Sequence, residues 1–105
     1  MSALEFSNSM GRVQAFSVPA TSQTTNVTMN GSAISSAAVS AKGMYRIYAS
    51  GAMHIAKDTT PGTPVATTTD MPIASTQPEY FGLDAGDTVS AIGTSGDILS
   101  LTLMP

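Results

Sequence analysis

Apolar residues along this chain recur at every second position in short runs, and turn-forming residues separate the runs. In Ile98–Met104, Leu99, Leu101 and Leu103 alternate with Ser100 and Thr102, the period of a strand with one buried face. Upstream, Asp87–Ile92 has the same character, and Gly93-Thr94-Ser95-Gly96-Asp97 between the two runs has the length and glycines of a hairpin loop. The pattern predicts a C-terminal β-hairpin, entered through a tight turn at Asp84-Ala85-Gly86-Asp87. A second pair is expected mid-chain: Met44–Ala49 sets Tyr45 and Ile47 against Met44, Arg46 and Tyr48, and Ala52–Lys57 follows after Ser50-Gly51.

The remaining elements are shorter. Val13–Val18 and Thr24–Asn30 read as strands, and Asn30-Gly31 is a strong turn dipeptide. Asp58–Pro64 reads as a turn, Val65–Thr69 as a polar edge strand, and Glu79–Leu83 as an aromatic strand following an irregular stretch bracketed by Pro72 and Pro78. Ser32–Lys42 is the one candidate helix, but serines, Val39 and a mostly alanine face favour strand or loop. About eight short strands at regular turn spacing give an all-β fold, an antiparallel β-sandwich or jelly roll. Residues 1–11 are expected to form an extended N-terminal arm without a pairing partner, ahead of a sandwich domain over 12–105.

Composition narrows the functional classes. The 105-residue chain fits one domain, has no cysteine for disulfides or thiolate metal sites, and is only 10% charged. Four cations in total cannot neutralise many phosphates, so no nucleic-acid partner is expected. No apolar run reaches membrane-spanning length, so no membrane partner is expected, and Met1–Phe6 lacks the features of a secretory signal. A surface of Ser, Thr, Asn and Gly is cheaply desolvated against a permanent protein partner. Low net charge also favours self-association, hence an expected homo-oligomer.

Catalytic groups are sparse. His54 is the only histidine, and no serine has nucleophile-elbow context, so a structural role outweighs a general base. Asp84 and Asp87 flank a glycine turn, but turn formation explains them without calcium, and the spacing of a calcium loop is absent. No catalytic, metal or cofactor residue is assigned, and the chain reads as a binding or structural protein rather than an enzyme. Tyr45, Tyr48, Tyr80 and Phe81 are candidates for a carbohydrate platform, which competes with ordinary half-core, half-surface packing, and Tyr48 and Tyr80 are the two whose exposure decides. In the arm, Leu4, Phe6 and Met10 fall at even spacing and share one face of an extended segment, which makes them the candidate partner-binding residues.

Three segments, MYRIYASGAMHIA, PVATTTDMPIASTQPEYFGLDAGDTVSAI and the SGDILSLTLM ending, together resemble small virion proteins of tailed bacteriophages, specifically capsid decoration (cement) or head-associated proteins. The resemblance covers residues 44–104. It implies a structural role stabilising a capsid, the major capsid protein as partner, a trimer in preference to a dimer, and a place on the virion surface after assembly in the host cytoplasm. The rival reading is a receptor- or carbohydrate-binding β-module of a tail fibre or spike.

Overall fold

The computed structural model describes residues 3–8 and 11–16 by their strand pairing, and residues 18–105 in full. It contains ten strands: β1 (Ala3–Asn8), β2 (Gly11–Phe16), β3 (Thr24–Thr28), β4 (Ile34–Ser35), β5 (Gly43–Ala49), β6 (Met53–Lys57), β7 (Met71–Ile73), β8 (Glu79–Leu83), β9 (Val89–Gly93) and β10 (Ile98–Leu103). No helix forms among the described residues, and Ser32–Lys42 contributes only the two-residue β4.

Eight strands make two four-stranded antiparallel sheets, ordered β3-β10-β5-β8 and β4-β9-β6-β7, in a β-sandwich-like arrangement. Their inner faces share one core. Leu99, Leu101, Ile47, Ala49 and Val27 come from the first sheet, and Ile55, Ile73, Val89 and Ala91 from the second. The leucine face of β10 is buried as its period demands, with Leu99 and Leu101 fully inaccessible and Leu103 half-buried against the same cluster. Tyr45 buries its ring beside them and keeps its hydroxyl satisfied by donating to the Ala41 carbonyl at 2.6 Å.

Strand pairing differs from the expectation in a consistent way. The β9 and β10 runs do not form a hairpin. β9 pairs with β4 and β6, whereas β10 pairs with β3 and β5 in the other sheet. The Gly93–Asp97 loop is therefore a crossing between sheets, fastened by mutual bonds between Met29 and the Gly96–Asp97 backbone at 2.9 and 2.7 Å. β5 and β6 are likewise separated, and Ser50-Gly51 carries the chain across, with the Ser50 hydroxyl accepting from the Ile98 amide at 2.8 Å. Of consecutive strands in the sandwich, only β6 and β7 are neighbours in a sheet. Val65–Thr69 is not a strand. The edge strand is β7, and Pro72 lies inside it, a position open to proline because an edge residue has one unpaired side.

The N-terminal residues were expected to lie unpaired, but β1 pairs antiparallel with β2, which begins at Gly11. Leu4 stands opposite Ala15, and Phe6 opposite Val13. The pair is a separate two-stranded ribbon, in ladder contact with neither four-stranded sheet.

Candidate binding face

The two sheets have very different outer faces. Over the β4-β9-β6-β7 sheet folds the connection from Asp58 to Asp70, and short polar side chains hold it there. The Ser35 hydroxyl donates to Asp58 Oδ2 at 2.7 Å, and the Thr88 hydroxyl donates to the same oxygen. Thr88 Oγ1 in turn accepts from the Gly62 amide at 2.8 Å. Ser90 Oγ accepts from the amides of Val65 and Ala66 at 3.3 and 3.0 Å and lies near the Ala56 carbonyl, to which it donates at 3.2 Å. As a result Asp58, Thr88 and Ser90 are buried although they stand on the side of the sheet away from the core. Sequence reasoning gave these residues no role, since Thr88 and Ser90 alternate with Val89 and Ala91 and read as solvent-facing. The alternation is right, but the covering residues that bond to Thr88 and Ser90 lie 24 to 26 positions away in sequence and leave no local signal.

By contrast, no described segment outside the sheet folds over the outer face of β3-β10-β5-β8. Register sets two rows of side chains across it. One runs Thr24–Thr102–Arg46–Tyr80, the other Asn26–Ser100–Tyr48. Within the rows, Thr24 and Thr102 share a hydroxyl bond of 2.8 Å, and Ser100 Oγ donates to Asn26 Oδ1 at 2.6 Å. Arg46 lies with its guanidinium 5.2 Å from the centroid of the Tyr48 ring, a cation–π arrangement that holds the head group at the face. Tyr80 is 47% exposed, and Met44 and Ile98 are the large apolar side chains open to solvent on the same side.

The other sites considered from sequence resolve as follows. In the turn before β9, the Asp84 amide donates to Asp87 Oδ2 at 2.8 Å and the Asp87 amide to the Asp84 carbonyl at 3.0 Å. Gly86 there has a φ of 90°, which a side chain would resist. Asp87 also pairs with Lys57 at 3.4 Å, so both aspartates are accounted for by turn and ion-pair geometry. His54 is half-buried on the outward side of β6, opposite Ile92 and Pro72, and bonds to no acidic side chain among the described residues. Those residues hold no group of three or more metal-ligating side chains. Leu4 and Phe6 lie in β1 of the ribbon, and Met10 lies outside the described residues. An apolar cleft of about 290 Å³ opens between the free edges of β7 and β8, lined by Met71, Phe81 and Leu83 over the core residues Ile47, Ile55 and Val89. No protein-family model, curated protein or solved structure matches the chain.

Proposed function

We propose that this chain is a structural virion protein, a decoration protein that binds and stabilises a bacteriophage capsid by attachment and not by catalysis. The observation that carries the reading is the β1–β2 ribbon, which pairs with neither sheet of the sandwich. A two-stranded ribbon is marginal by itself in water, and it gains most from docking on another chain. By backbone register Leu4 stands opposite Ala15 and Phe6 opposite Val13. These apolar residue types are the candidate anchors for a subunit of the major capsid protein or for a sister copy. Binding only the assembled lattice shifts the assembly equilibrium toward the intact shell by mass action.

The strand order supports the finer reading of the sandwich as a jelly roll. Counted from β3, the sheets run first-eighth-third-sixth and second-seventh-fourth-fifth, the order produced when a long antiparallel ribbon of strands wraps into two facing sheets. The edges of β7 and β8, unpaired among the described residues, suit a homo-oligomer, and the resemblance to phage decoration proteins implies a trimer in preference to a dimer on the virion surface.

The test is co-sedimentation with capsids that lack the protein, comparing the full chain with a variant deleted for residues 1–16. Binding by the full chain, with loss of binding and an unchanged melting temperature in the deletion, is the expected result. Failure of the full chain to sediment with capsids rejects the decoration role, and equal binding by both forms moves the anchor onto the sandwich.

A further inference from the structure

We infer that the outer face of the β3-β10-β5-β8 sheet is a binding site for a carboxylate-bearing saccharide, with Arg46, Tyr80 and Asn26 as its recognition groups. The inference is independent of the virion role, since it rests on the chemistry of one face.

Among the described residues that face supplies donors and a ring, and no carboxylate on an outward strand position. None of the outward positions on its four strands is acidic, and Glu79, next to Tyr80, stands opposite Ile47 on the other side of the sheet. Arg46 forms no ion pair with a carboxylate among the described residues, and stacking on Tyr48 holds its fork in place without using its hydrogen bonds. Asn26 Oδ1 accepts from Ser100, which fixes the amide and leaves its nitrogen as an outward donor. A neutral sugar is ordinarily gripped by carboxylates that accept from its hydroxyls, and among the described outward residues this face offers only neutral hydroxyl and amide acceptors. It suits a ligand that brings the negative charge itself. A sugar carboxylate is met by the bidentate guanidinium fork of Arg46, the strongest pairing on the surface.

Shape selects the rest of the ligand. Tyr80 is the most exposed ring of the face, and the next outward position on its strand is Gly82, where an added Cβ would meet nothing within 4 Å. The gap leaves a shelf beside the tyrosine on which the C–H face of a pyranose can stack. The four strands span roughly 14 Å at the usual inter-strand spacing, room for a short oligosaccharide lying flat. An acidic peptide has a better option in the free edge of β8, where backbone pairing is available and neither Tyr80 nor Gly82 is needed. The chain's net charge of −3 opposes any anion at long range, but screening within about 8 Å at physiological salt leaves Arg46 in control of its own face.

Titration calorimetry on the full chain tests this with tetragalacturonate and α2,8-linked trisialic acid, each against its methyl ester, and with a ten-residue polyglutamate. At least one acidic saccharide should bind, and its methyl ester should not. Arg46→Gln should weaken binding by about tenfold or more, the scale of one lost charge-assisted pair. Tyr80→Ala should weaken it as well, and both variants should melt at the wild-type temperature because both side chains are at the surface. Absence of binding to both acidic saccharides overturns the proposal. Equal binding of the ester, of polyglutamate, or of the Arg46→Gln variant does so too.

Discussion

A single oxygen atom shows how residue-scale chemistry shapes the surface of this protein. Ser90 Oγ is fully buried and is the acceptor for two consecutive amides, Val65 and Ala66, of a segment that has no strand partner of its own. Buried amides without acceptors are costly, so this hydroxyl decides whether the Asp58–Asp70 connection lies on the sheet or lifts from it. Ser90→Ala should therefore destabilise the fold by about 1–3 kcal/mol, the penalty of leaving such groups unpaired. The loss should be local in character. Hydrogen exchange at Val65 and Ala66 should accelerate well beyond the change at Leu99 and Leu101, whose amides belong to the central strand β10. Uniform acceleration at all four positions would mean that the segment is not a separately opening unit.

At the scale of elements, each strand's inward face was legible while its neighbours were not. The period-two runs identify Ile47, Ile55, Val89, Leu99, Leu101 and Leu103 as core residues; the first five are buried and Leu103 is half-buried against them. What a run does not encode is the sheet it joins. A loop such as Gly93–Asp97 can return the chain to a partner about 4.8 Å away or carry it about 10 Å to the facing sheet. Both distances lie within reach of five residues, and glycine serves either geometry. Only the competition among β4, β6, β3 and β5 for the two strands decides between them. The binding face has the same history. Tyr48 and Tyr80 stand out as surface aromatics, and Arg46 shares the side of Tyr48 by alternation, but the meeting of Arg46 with Tyr80 depends on a β5–β8 ladder between distant segments. A peptide of residues 87–104 separates the two readings of the C-terminus. Because its strands belong to different sheets, it should show no cross-strand nuclear Overhauser contacts between the Val89–Gly93 and Ile98–Leu103 stretches in water. A folded hairpin in that peptide would show that local pairing is strong and is undone by the rest of the chain.

For the whole molecule, the crossing connections set the order in which the fold can form. Every sandwich ladder except β6–β7 joins strands that are not consecutive, and β10 closes on β3 from the far end of the chain. The first sheet has no two consecutive strands as neighbours, so none of its ladders can grow outward from a tight turn. Loop-closure entropy must be met before these contacts return free energy, which places such topologies among the slow two-state folders. Refolding from denaturant should therefore occur on the order of milliseconds to seconds, as for other all-β sandwiches, and should be resolved by stopped-flow methods. Tyrosine fluorescence is a suitable probe because the Tyr45 ring enters the core only when β5, β10 and β8 are in register. The tyrosine signal and the far-ultraviolet circular dichroism of the sandwich should rise with the same rate constant, since no sub-assembly of the sandwich larger than the β6–β7 pair can form locally. A large circular dichroism amplitude gained within the dead time, ahead of the tyrosine signal, would show that one sheet assembles before the other and would contradict joint closure of the two sheets.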